Sequence, residues 1–185
     1  MKLTLKTALF AALSALLAAC ASSRSLDKSV SDFTGNAELK GVLFTDRSHD
    51  YSDIDLTLYE GRLLLTGSMR SESGRIKLVE NAWKAGGVDQ VIDEIYIGDK
   101  TPFGQGFSDA RIDQTLRTRL IASEVVSSRF KFSVSNGVVY VLGEARDDNE
   151  HTKTLDIARD VAGVEKVVSH IAVRSPLPSV ISDAR

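Results

Sequence analysis

"SNGVVYVLG", Ser135–Gly143, reads as the turn and returning strand of a β-hairpin. Asn136-Gly137 supplies the positive φ that a tight turn requires, and Val138-Val139-Tyr140-Val141 is β-branched and aromatic strand material. Ahead of it, "FKFSV" sets Phe130, Phe132 and Val134 on one face and Lys131 and Ser133 on the other, the alternation of a half-buried strand. A second copy, "YEGRLLLTG", Tyr59–Gly67, lies 76 positions earlier, with Gly61 and Gly67 matching Gly137 and Gly143. The register holds without a gap from Leu56–Ile97 to Phe132–Val173, with Leu63 on Val139, Ala82 on Ala158 and Ile95 on Ile171. Nine of the 42 aligned positions are identical, mostly at glycines and core-type apolar sites, where backbone geometry or burial restricts the choice. The chain contains an internal duplication.

Each copy reads as helix, strand, strand, helix, strand. In the second, Ile112, Leu116 and Leu120 recur every four residues and predict an apolar stripe on a helix over Asp109–Ile121. After the hairpin, "DDNE" at Asp147–Glu150 is a helix start with an acidic cap and a glutamate three residues on. Leu155, Ala158 and Ala162 are expected on that helix's inner face, with Gly163 ending it. The first copy runs parallel, with Ile76, Val79 and Ala82 inward, Gly86-Gly87 as the stop, and a shorter opening helix near Ala37–Phe44. A strand-helix-strand crossover makes the last strand parallel to an earlier one. The expected class is α+β: two tandem αββαβ units, each a three-stranded mixed sheet with two helices on one face. Units of this size are near the lower limit for folding unaided, so the two are expected to dock.

The first residues carry a different signal. Lys2 and Lys6 precede the apolar run Thr7–Leu17, which has the length of a signal-peptide core and is short for a membrane-spanning helix. The run ends in Leu17-Ala18-Ala19-Cys20, which resembles the bacterial lipoprotein processing site and implies cleavage before Cys20 and lipid attachment to it. Cys20 is the single cysteine, so no disulfide competes for its sulfur. The expected plan is a lipoprotein signal at 1–19, a lipidated tether at 20–35, unit 1 at 36–99, a linker at 100–108, unit 2 at 109–175 and a tail at 176–185.

Charge excludes one class of partner. Removing Lys2 and Lys6 leaves 21 basic against 25 acidic residues, which argues against general nucleic-acid binding. Local charge is uneven. Asn36–Leu58 sets Lys40 and Arg47 against Glu38, Asp46, Asp50, Asp53 and Asp55, whereas Asp109–Lys131 carries Arg111, Arg117, Arg119, Arg129 and Lys131 against three acids. Arginines beside an amphipathic helix can meet phosphate headgroups. On the hairpin, Val138, Tyr140 and Leu142 face away from the helices where the first copy has the more polar Arg62, Leu64 and Thr66. That outer face needs cover: the first copy, the tail, or a partner protein.

No catalytic constellation emerges. His49, His151 and His170 are scattered, and no serine or acid stands at triad spacing. The acidic "TDRSHDYSDID" lacks the glycine turn and terminal glutamate of an EF-hand loop. "FGQGF" lacks the lysine and preceding strand of a phosphate loop. Neither a metal, a cofactor nor an enzymatic activity is expected.

The repeated helix, glycine-centred hairpin, helix and "GVEKVVSHI" strand resemble the BON domain, a small αββαβ unit of bacterial envelope and osmotic-stress proteins. Two copies behind "LAAC" are similar to the dual-BON outer-membrane lipoproteins of Gram-negative bacteria. "DYSDIDLTLYEGRLLLTG" with "GVDQVIDEIYIG" fits the first unit, and "NGVVYVLGEA" with "GVEKVVSHIAV" the second. The resemblance implies an outer-membrane, lipid-anchored protein facing the periplasm. It further implies binding of anionic phospholipid and support of envelope integrity, without catalysis. It also makes the first helix of unit 2 the membrane-contacting element, with Arg111, Ile112, Thr115, Arg117, Thr118 and Arg119 as its site residues. Arg111 stands where some relatives place a tryptophan, so the contact implied here is mainly electrostatic and salt-sensitive. The alternative is an adaptor that binds another envelope protein through Tyr140, Leu142 or the acidic first-unit loop.

Overall fold

The computed structural model describes residues 41, 48–99, 103–123 and 125–174. Cys20, the tether, nearly all of the expected opening helix of unit 1 and the tail at 176–185 lie outside the described residues. The first unit contains β1 (Ile54–Tyr59), β2 (Arg62–Met69), α1 (Glu72–Ala82) and β3 (Gln90–Ile97). The second contains α2 (Phe103–Ile121), a 3-10 turn (Ser127–Arg129), β4 (Phe130–Ser135), β5 (Val138–Ala145), α3 (Asp148–Arg159) and β6 (Lys166–Val173).

Two three-stranded mixed sheets result. Each hairpin is antiparallel, each crossover returns a parallel strand, and the central strand is β2 in one sheet and β5 in the other. The register repeats with the sequence: Ile54 pairs with Gly67 as Phe130 pairs with Gly143. The turns Glu60-Gly61 and Asn136-Gly137 both have positive φ at two successive residues, the backbone whose twist suits a two-residue hairpin. At Gly67 a side chain would run into the carbonyl oxygen of Asp53, and at Gly143 into that of Arg129, so the edge strand crosses the central one closely in both copies.

Alternation then sorts each sheet into two faces. Val139 and Val141 pack beneath Ile112, Leu116 and Leu120 of α2 and Leu155 and Ala158 of α3 in one core. Leu63 and Leu65 do the same with Leu78 and Ala82 of α1 in the other. The helix starts are capped in parallel. Ser71 Oγ accepts from Gly74 N at 3.1 Å, and the Asp147 carboxylate accepts from Glu150 N at 2.8 Å. The backbone amide of Glu150 first, and then the Arg146 guanidinium, hold the Asp147 carboxyl below its usual range.

Three expectations need correcting. Ile76 is 54 % exposed, and Leu78 takes the inward place on α1 because its direction, not that of Ile76, matches Ala82 and Gly74. Ala162 lies beyond α3 and is exposed, with Val161 buried instead. The helix of unit 2 begins at Phe103, so much of the expected linker is helical despite Gly104 and Gly106. Pro102 immediately precedes it in sequence, and proline is tolerated at a helix start.

Candidate lipid-contact helix and the interface beside it

The four-residue stripe of α2 decides which residues it can offer. Ile112, Leu116 and Leu120 point into the core, and Ile112 is only 1 % exposed. Ile112 therefore leaves the expected lipid-contact set: it shares the inward direction of the two leucines and packs with them. Arg111, Arg117, Thr118 and Arg119 are exposed, and Thr115 is half-buried.

Their bonds differ. Arg117 Nε donates to Asp113 Oδ2 at 2.7 Å one turn back, and that carboxylate keeps the guanidinium firmly protonated, its pKa raised. Arg119 Nη1 donates to the carbonyl of Asp160 at 2.9 Å, at the C-terminal end of α3 where cations are favoured. Thr115 and Thr118 donate their hydroxyls to the carbonyls of Arg111 and Gln114, the i−4 pattern that leaves those protons committed within the helix. At the end of α2 Ile121 is 79 % exposed. It is not among the expected site residues, being an apolar residue that falls outside the four-residue stripe.

The outer faces of the two sheets meet each other. Tyr140 and Leu142 of β5 join Tyr59, Leu64 and Ile92 in a third apolar cluster. Val138 is half-buried and outside it. Thr66 is fully buried, its hydroxyl 2.7 Å from that of Ser133. Arg62 reaches across, donating from Nη2 to the carbonyl of His170 at 2.8 Å and from Nη1 to that of Gly143 at 3.3 Å. Burial lowers its pKa, and carbonyl oxygens replace the water it gives up. His170 Nε2 lies 3.0 Å from Glu94 Oε1. The polar residues that made the first copy's face look solvent-exposed are thus the ones bonded to unit 2. No periodicity could reveal this, because each bond crosses between units.

Residues 31–99 and 108–175 each match the BON domain. The chain belongs to the BON-domain family. Its two BON units are 29 % identical over 126 residues to an uncharacterized protein in the gshII 5' region of Anaplasma centrale, covering 67 % of this chain and 83 % of that protein. They are 31 % identical over 119 residues to a 21 kDa hemolysin of Actinobacillus pleuropneumoniae, covering 64 % and 61 % respectively. To the outer membrane lipoprotein DolP of Haemophilus influenzae they are 25 % identical over 116 residues, covering 62 % and 60 %. The chain therefore spans about three fifths of the length of the latter two relatives. Among the described residues of the BON units, no three His, Cys, Asp or Glu side chains are grouped to hold a metal ion, and no helix is long and apolar enough to cross a membrane.

Proposed function

We propose that this dual-BON protein is an envelope lipoprotein whose second unit contacts anionic phospholipid through the outer face of α2. The observation that carries the reading is that face itself: Arg111, Arg117 and Arg119 are exposed along one helix that ends in the uncovered Ile121. A cation near an anionic bilayer is worth about 1 kcal/mol, less for Arg117, whose charge Asp113 partly offsets. Ile121 supplies an apolar tip that can enter the headgroup boundary. Envelope placement with lipid on Cys20, outer-membrane sorting and a role in envelope integrity rest on "LAAC" and on the relative named as an outer membrane lipoprotein. The adaptor alternative loses Tyr140 and Leu142 as partner residues, since unit 1 covers them, and keeps only the acidic loop.

Residues 21–185, free of lipid, are mixed with neutral or anionic vesicles and sedimented at low and high salt. Binding to anionic vesicles alone, release by salt and loss in the Arg111→Glu, Arg117→Glu, Arg119→Glu triple variant are expected. A protein that stays in the supernatant with every vesicle type rules out lipid contact by α2.

A further inference from the structure

Unit 1 has an apolar strip on α1 that unit 2 lacks. Ile76 and Trp83 stand 54 % and 53 % exposed two turns apart, with the half-buried Val79 between them. At the matching places, 76 residues on, α3 has the exposed Thr152 and Arg159. A groove of about 290 Å3 follows the strip between α1 and β3, and its exposed lining is mainly apolar. Asp93 of β3 stands in its far wall, and Glu72 and Glu80 lie along its rim. Arg75 is the one cation among the described lining residues. Asp93 holds it at 2.8 Å and Glu72 at 3.6 Å, so the groove keeps an excess of negative charge.

The far wall is also a strand edge, because β3 ends its sheet among the described residues. Gln90 N donates to Gly61 O and Gly98 N to Met69 O, so the even-numbered residues of this parallel strand turn their peptide groups to β2. The odd-numbered ones turn theirs to the edge. Asp93 Oδ1 takes the Ile95 amide there at 3.1 Å, and Val91 and Asp93, ahead of that point, offer their peptide groups outward. Peptide groups two residues apart along a strand are matched by another polypeptide backbone, and a groove beside them takes every second side chain of that backbone. The carboxylates add a preference for lysine or arginine. We propose that the edge of β3 and the groove beside α1 take an extended peptide of a partner protein as a fourth strand. The fitting peptide has apolar side chains at alternate positions and basic residues flanking them. A second copy of this chain fits poorly: β3 paired with β3 about its centre would set Asp93 and Glu94 against their own equivalents. This surface belongs to unit 1 and owes nothing to α2, so its test needs no membrane.

Residues 21–185 are titrated in solution against the sixteen fluorescein-labelled heptapeptides Lys-Thr-X-Thr-X-Thr-Lys, where X is Val, Ile, Leu or Phe. Fluorescence anisotropy should show binding within this set, and the emission of Trp83, the single tryptophan, should shift to the blue as it is covered. Replacing both lysines of the peptide by glutamate should weaken binding by roughly tenfold. N-methylation of one alternate set of peptide amides should abolish binding while methylation of the other set leaves it intact, because only one set faces β3. Ile76→Thr with Trp83→Arg, two exposed positions given the residues of unit 2, should weaken binding by roughly tenfold or more with far-UV circular dichroism unchanged. Binding by none of the sixteen, equal sensitivity to the two methylation sets, or indifference to the double variant overturns the proposal. Trp83 emission that moves to the red on deleting residues 176–185 assigns the groove to the chain's own tail. Emission that varies with protein concentration assigns it to a second copy. Either result overturns the partner peptide.

Discussion

Tyr140 shows what the junction between units does to one side chain. It packs on Tyr59, Leu64 and Leu142, and burial, followed by the nearby Glu94 carboxylate, raises the pKa of its phenol. The folded protein therefore holds this proton more tightly than the unfolded chain does. The resulting stabilisation is complete below the ordinary pKa of 10.0 and is lost as pH rises through the elevated folded value. Urea midpoints should fall from about pH 10 upward, and less steeply in Tyr140→Phe. Equal slopes for the two proteins would show that this phenol is not coupled to folding. The sequence marked Tyr140 as outward on its strand, because alternation is local. What it meets there depends on the other unit.

At the scale of elements, the hairpins and crossovers were legible because glycine spacing and strand alternation recur after 76 residues. The helices were harder to phase. On α1, Ile76, Leu78, Val79 and Ala82 allow two inward directions, and only packing with Leu63, Leu65 and Ile95 selects the one through Leu78. On α2 the four-residue stripe left no such choice. Its core side and its solvent side should respond differently to truncation. Leu116→Ala, at a fully buried position, should cost about 2–5 kcal/mol. Thr118→Ala, on the exposed side, should stay within about 0.5 kcal/mol. Urea titrations of the two variants decide this, and similar losses for both would mean that the face of α2 has been misassigned. The early start of α2 escaped because Gly104 and Gly106 each weaken a helix by about 1 kcal/mol and so read as linker.

The described residues stack as helix, sheet, sheet, helix, and Arg62 is one of the polar side chains that join the two sheets. Arg62→Ala leaves the carbonyls of Gly143 and His170 without that donor, at a cost of about 1–3 kcal/mol. Trp83, the single tryptophan, is half-exposed at the end of α1 and reports on unit 1 alone. In the parent protein its fluorescence and far-UV circular dichroism should lose structure at the same urea concentration. In Arg62→Ala the two midpoints should separate as the units uncouple. Coincident, unshifted midpoints in the variant would remove Arg62 from this role. The same seam holds Glu94 against His170, which occupy one and the same position of the repeat. In a pair of identical single units, a residue on the two-fold axis confronts its own copy. Two glutamates there repel, and so do two protonated histidines. Once both units are encoded in one gene, that position is written twice and its two copies are free to diverge. Duplication thus gave this contact an option closed to any homodimer of identical units: two different side chains, a carboxylate and an imidazole, where symmetry would have imposed like on like.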